Sequence, residues 1–245
     1  MKAILYIGHG TRSKKGAEEA KAFIHRVIDR IPVSIQEISF LELTEPLIEE
    51  GFRRCVQRGA TDITVVPLFL LAAGHIKQDI PSVLSTLKEQ YPDVTVAIRN
   101  PFGVETRILD GIADLVRDMV IDLTPQDAIL IVGRGSSDPG IHDAFSKIAK
   151  GIQRRLGIKH ISVGYLAAAE PRFLEGLESM SETTAGGRII VIPYLLFSGL
   201  LLAEVDLEVR KRQKQGVKII HTGTLSSHQI FEDIVMERAM GTMGD

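Results

Sequence analysis

The feature that most constrains this chain is an internal duplication. An apolar run, Ile4-Leu5-Tyr6-Ile7, ends in Gly8-His9-Gly10-Thr11-Arg12, and a second run, residues 128–132, ends in Gly133-Arg134-Gly135-Ser136-Ser137. Arg134 stands 125 positions after His9, and Glu170-Pro171 stands the same distance after Glu45-Pro46. One insertion later, Val191-Ile192-Pro193-Tyr194 answers Val65-Val66-Pro67-Leu68. A repeat of this length is one structural unit made twice. The pattern breaks at Thr124-Pro125-Gln126-Asp127, so two similar domains are expected, 1–123 and 124–245, each of ordinary size.

Within each copy, apolar runs alternate with stretches of helical spacing. In the first half strands are expected over 4–7, 34–40, 62–67 and 94–98, and helices over 14–30, 46–58, 80–90 and 104–121. Pro46 is expected in the first turn of its helix. In the last of these helices Ile108, Ile112, Leu115 and Met119 recur every three or four residues, the signature of one buried face. In the second half strands are expected over 128–132, 160–166, 188–193 and 217–221, with a final helix over 226–240. Strict alternation predicts the α/β class, with two tandem four-stranded parallel sheets flanked by helices and a functional cleft between the two halves.

Composition excludes several classes of function. A formal net charge of -2, with no stretch that interleaves Lys or Arg with aromatics, argues against a nucleic-acid partner. The two longest apolar runs, 63–74 and 189–203, contain prolines and fall short of the roughly 18–20 residues that span a bilayer, so no membrane partner is expected. Residue 2 leads straight into the first strand, and the lone Cys55 suits a reducing compartment, so the cytoplasm is the expected location. With one thiol, metal chemistry here must use imidazole and carboxylate.

In an open parallel sheet, ligands bind outside the carboxyl ends of the strands. If the first three strands are parallel, those ends deliver His9, the segment 42–45 and the loop 70–75 to one edge. His9, Glu42 and His75 then converge. Two neutral imidazoles and a carboxylate suit a first-row divalent metal such as Fe²⁺, Co²⁺ or Ni²⁺, and they equally suit proton transfer. A solvated carboxylate is the ordinary alternative for Glu42, and Glu45 suits the amino end of the next helix. His221 and His142 rank second. His25 and His228 are expected inside helices and His160 at the start of a strand, with no role in chemistry.

Phosphate-binding motifs fail on inspection. The dinucleotide fingerprint requires a third glycine where Ser13 and Asp138 stand, and no P-loop spacing occurs. The Arg-His-Gly motif of histidine phosphatases would need an arginine where Gly8 stands.

Taken together, Gly8-His9-Gly10-Thr11-Arg12, Phe40-Leu41-Glu42, the run from Pro67-Leu68-Phe69-Leu70 to Gly74-His75, and the duplication resemble the class II chelatases. The likeness is to the sirohydrochlorin chelatases in their long, two-half form, and it covers nearly the whole chain. It implies a lyase that inserts Fe²⁺ into sirohydrochlorin to give sirohaem, with Co²⁺ insertion in cobalamin synthesis as the alternative. A carrier that binds tetrapyrrole or metal without turnover is an alternative of another class. Position by position, the family's two active-site histidines fall on His9 and His75, which are the expected metal ligands, and its acidic residue falls on Glu42. The second half carries Arg134 at the first histidine position and Leu200 or Leu201 at the second, which implies one competent site per chain. The resemblance further implies a monomer, no cofactor beyond the metal co-substrate, and a carboxylate-edged tetrapyrrole held by apolar loops 68–71 and 195–202. Arg12, Lys77, Arg134 and the helix amino termini after Ser13 and Ser137 are candidates to hold its carboxylates.

Overall fold

The structure is a computed structural model that describes residues 1–184 and 187–241. Eight strands and eight α-helices alternate along it: β1 (Lys2–Gly8), α1 (Lys14–Ile28), β2 (Ile35–Phe40), α2 (Ile48–Gln57), β3 (Asp62–Pro67), α3 (Ile80–Gln90), β4 (Thr95–Ile98), α4 (Thr106–Met119), β5 (Ala128–Gly133), α5 (Pro139–Leu156), β6 (His160–Tyr165), α6 (Phe173–Thr183), β7 (Ile189–Pro193), α7 (Leu200–Lys214), β8 (Ile219–His221) and α8 (Ile230–Met240). The strands form two sheets, ordered β2-β1-β3-β4 and β6-β5-β7-β8, with every pairing parallel. The duplication is therefore a duplication of topology. Among the described residues no helix is long and apolar enough to cross a membrane.

Each sheet is covered on both faces, which is why its central strands are mostly apolar, with Thr64 of β3 a part-buried exception. In β1, Ala3, Leu5 and Ile7 point to one face and pack with Phe52 and Cys55 of α2 and Leu84 and Leu87 of α3. Alternation turns Ile4 and Tyr6 to the other face. There the Tyr6 hydroxyl donates to Gln36 Oε1 at 2.7 Å, so the one polar atom of that buried ring is satisfied.

Three expectations about local structure are corrected. Helix α2 begins at Ile48, not at Pro46; Glu45-Pro46 is a cis peptide in the preceding bend, as is Glu170-Pro171 in the second repeat. The final helix is broken: a 3₁₀ turn at Leu225–Ser227 is followed by α8, and His228 lies in the joint between them, where its Nδ1 accepts from Ile230 N–H. Helix α5 is capped by Asp138 rather than by Ser137, and its carboxylate accepts from Gly140 N–H at 2.9 Å. That carboxylate fills the helix terminus proposed for a substrate anion.

Compact packing divides the chain differently from the repeat boundary between 1–123 and 124–245. One unit comprises Met1–Gly103 with Phe231–Asp245, the other Val104–Ile230. Thus α4, which ends the first repeat, packs on α5 in the second unit, with Leu109 against Gly151 and Arg155 paired to Asp110 at 2.6 Å. Conversely α8, which ends the second repeat, packs in the first unit, where Arg26 and Arg30 reach Glu232 and Asp233 at 2.7 and 2.6 Å. Arg30 and Asp233 are partly open to water, so that pair contributes at most about 1 kcal/mol, whereas the Glu232 carboxylate is buried and is reached by both arginines. Fully burying Phe231, Ile234 and Val235 is worth roughly 1.5–3 kcal/mol apiece, so apolar contact holds α8 in place.

Candidate metal centre

The first unit builds its site where the strand order reverses. From central β1 the chain moves out to β2 on one side, then crosses to β3 on the other, leaving a crevice at the carboxyl ends of β1 and β3. Ile7 pairs with Pro67 across that edge, and Leu68 N–H donates to the Ile7 carbonyl at 2.8 Å. The residues that leave these two strands carry His9 and His75.

Gly10 positions the third group. It adopts φ +93°, and a Cβ there would run into the Glu42 carbonyl, so only glycine lets the two segments touch. The loop is stitched down on both sides of that contact. Glu42 N–H donates to the His9 carbonyl at 3.1 Å, Thr11 N–H donates to Thr44 Oγ1 at 2.9 Å, and the Thr44 hydroxyl donates to the Thr11 carbonyl at 3.0 Å. His75 opens a one-turn π-helix, His75–Asp79, a form that recurs at functional sites.

All three expected residues meet. His9 Nε2 lies 3.3 Å from His75 Nε2 and 3.7 Å from Glu42 Oε1, with the imidazoles about one-third exposed and Glu42 half exposed. The rings cross edge to face, and Phe69 stands 6.0 and 6.4 Å from them, centroid to centroid. The outer nitrogens fix the tautomers. His9 Nδ1 lies 3.1 Å from the Gly10 carbonyl and His75 Nδ1 lies 2.7 Å from Asp79 Oδ2. A carbonyl and a carboxylate only accept, so both Nδ1 atoms carry hydrogen and both Nε2 lone pairs face the same point. Two lone pairs and a carboxylate around one point repel unless a positive charge lies between them, whether a proton on one ring or a metal ion. Two imidazole nitrogens on one metal stand roughly 3.0–3.4 Å apart at ordinary bond lengths and angles, the separation found here. Among the described residues no group of three or more His, Cys, Asp or Glu forms a metal cage. The site is a clasp of two imidazole nitrogens with a carboxylate alongside.

Asp79 is the residue that sequence reasoning did not single out, whereas Phe69 belongs to the apolar loop 68–71 expected to face the tetrapyrrole. The signal for Asp79 was present: a helical acid four positions after a histidine reaches its ring. The other candidates are dispersed. Glu45 accepts from Leu47 N–H at the entry to α2, and Ser13 caps α1. Arg12 and Lys77 are exposed, as is Arg134 in the second unit. Leu200 and Leu201 open α7 and Arg134 follows β5, so neither position that answers the histidine pair carries an imidazole in the second repeat. His221 is tied by Nε2 to Asp206 at 3.3 Å and accepts from Gly223 N–H, while His142 Nδ1 meets the Tyr165 hydroxyl at 3.3 Å.

The CbiX family model matches the chain twice, over residues 3–119 and 128–242. The chain belongs to the CbiX family. Each match spans one copy of the duplication, and the clasp lies in the first. Over 93% of its length the chain is 41% identical to the sirohydrochlorin ferrochelatase of Priestia megaterium, covering 85% of that protein. It is similar in structure to SirB from Bacillus subtilis with Fe³⁺, with a TM-score of 0.84 and 36% identity, covering 98% of this chain and 96% of that one. It is similar also to the sirohydrochlorin chelatase SirB of Bacillus subtilis subspecies spizizenii in complex with cobalt, with a TM-score of 0.83 and 33% identity over 98% of this chain and 94% of that one. A two-repeat CbiX chain of this kind is a metal chelatase.

Proposed function

We propose that this chain inserts Fe²⁺ into sirohydrochlorin, and that His9 and His75 are the groups that pass the metal. The observation that carries the reading is the pair of Nε2 lone pairs aimed at one point 3.3 Å across, beside Glu42. Insertion exchanges two pyrrole N–H protons for one divalent metal, and no electron is transferred. The imidazoles hold Fe²⁺ by nitrogen while it loses water, then release it to the ring nitrogens. As the metal passes to the ring, a vacated Nε2 lone pair accepts one pyrrole proton and the Glu42 carboxylate accepts the other, so both protons are accounted for without two facing imidazolium ions. Asp79 and the Gly10 carbonyl keep both rings turned to the metal throughout. The metal is a co-substrate, so the reaction needs no organic cofactor. One site per chain, in the first repeat, suits a monomer working in the reducing cytoplasm.

The test is metal insertion followed by the absorbance of sirohydrochlorin. His9→Ala and His75→Ala are each expected to lower the rate at least about 100-fold, the ordinary worth of a positioned acid–base group. Variants that keep the wild-type rate overturn the assignment of the two residues. The same assay run with Co²⁺ addresses the second reading, which the cobalt-bound relative favours. Imidazole does not discriminate sharply between these ions, so both metals are expected to enter the ring, and the faster one identifies the preferred substrate. A rate no greater than that of the protein-free mixture identifies a carrier instead.

A further inference from the structure

Beside Glu42 the backbone takes a conformation that its residue opposes. Leu43 sits at φ 62° between the Glu42 carbonyl and Thr44 N–H, which bond to one another at 2.8 Å, the three-residue turn of the strained hand. Left-handed backbone is costly for any residue with a Cβ and rare for a bulky one. The side chain recovers little by burial, since Leu43 remains 49% exposed. Asparagine or glycine would hold this turn at lower cost.

The second repeat separates what the fold needs from what the site needs. Ala168, 125 positions on, adopts φ 44°, and a Cβ on Gly135 would strike the Ala167 carbonyl as one on Gly10 would strike that of Glu42. The positive φ is thus a property of the scaffold, present in both copies. The large apolar side chain at its tip occurs only in the copy that has the imidazole pair. In the other copy the tip is alanine, and Arg134 replaces the first histidine. An exposed leucine is ordinary by itself. One held in a left-handed turn, one residue from Glu42, and absent from the copy without imidazoles is accounted for by a ligand.

We propose that Leu43 is a substrate-contacting specificity residue that packs on the apolar face of the planar tetrapyrrole and excludes water beside the metal clasp. This rests on the chelatase reading and adds to it the group that recognises the ring, as distinct from the groups that handle the metal. The strain serves the contact: the stitched turn presents the side chain at a fixed place, so little is lost in ordering it when the macrocycle arrives.

The test uses Leu43→Ala, Leu43→Gly and Leu43→Met in the full chain, with metal-free sirohydrochlorin titrated by absorbance and insertion measured in parallel. Removing an apolar contact of this size is expected to raise Kd and KM for the tetrapyrrole roughly tenfold in the Ala and Gly variants, while Met, of equal volume, restores both. Thermal midpoints separate recognition from folding: Leu43→Gly relieves the turn and is expected to melt no lower than wild type. Unchanged Kd in the Ala and Gly variants, beside a wild-type protein that binds, overturns the inference alone. So does weakened binding that comes with a lowered melting point in the Gly variant. A wild-type protein that does not bind sirohydrochlorin overturns the chelatase reading and this inference with it.

Discussion

The decisive residue-scale fact is that each imidazole of the clasp is held from behind by an acceptor that cannot donate. For His75 that acceptor is Asp79, across 2.7 Å. Asp79→Asn replaces an obligate acceptor with an amide that can present N–H to Nδ1 and turn the lone pair the wrong way. The expected result is a fall in kcat for insertion of about tenfold, within the usual range for an outer partner of a metal-binding histidine, with KM for sirohydrochlorin unchanged. A raised KM at unchanged kcat would place Asp79 on the substrate instead. How much of this was visible in the sequence differs from residue to residue. His9 stands out because two glycines after an apolar run expose it, whereas His75 and Glu42 acquire meaning only when three strands are taken as parallel. Asp79 carries no apolar signature, and its spacing of four from His75 becomes informative only when the two are seen on one helical turn. The exposed cations stayed ambiguous because a surface charge has the same sequence whether or not a ligand approaches it.

At the scale of elements, alternation of apolar strands and amphipathic helices is enough to place all eight strands among the described residues, because a sheet covered on both faces leaves few polar positions at its centre. The departures from the expected elements fall at connections. Pro46 lies before its helix and not in the first turn; the chain around His228 is jointed where the spacing predicts continuous helix. Both are places where packing, not periodicity, decides. Helix α2 shows how such packing controls chemistry away from the site. Its Cys55 is fully buried in the core of the first unit, and burial, reinforced by Glu37 and only partly offset by Arg58, pushes the thiol up to about 12. Thiolate is the reactive form, so at neutral pH the native protein is expected to leave a colorimetric disulfide reagent unconsumed, and to consume one equivalent once denatured. Prompt reaction of the native chain would show that α2 opens.

At the scale of the whole molecule, repeat and compact unit are different objects. The second unit, Val104–Ile230, is one continuous segment, while the first is assembled from two segments and includes α8. A fragment of residues 104–230 is therefore expected to fold and melt cooperatively. A fragment of residues 1–123 is expected not to, because it lacks the helix that buries Phe102 against Phe231, ring centroids 5.4 Å apart. Circular dichroism and thermal melts of the two fragments decide this; a cooperative melt from 1–123 would show that α8 is dispensable to the first unit. The exchange of α4 and α8 also bears on what a protease could achieve. Hydrolysis near Thr124, at the seam of the duplication, would break covalent continuity between the repeats and yet remove no helix from either unit. Each product would still keep one helix lodged in a unit built mainly from the other, and the clipped molecule would hold together like a clasped pair of hands.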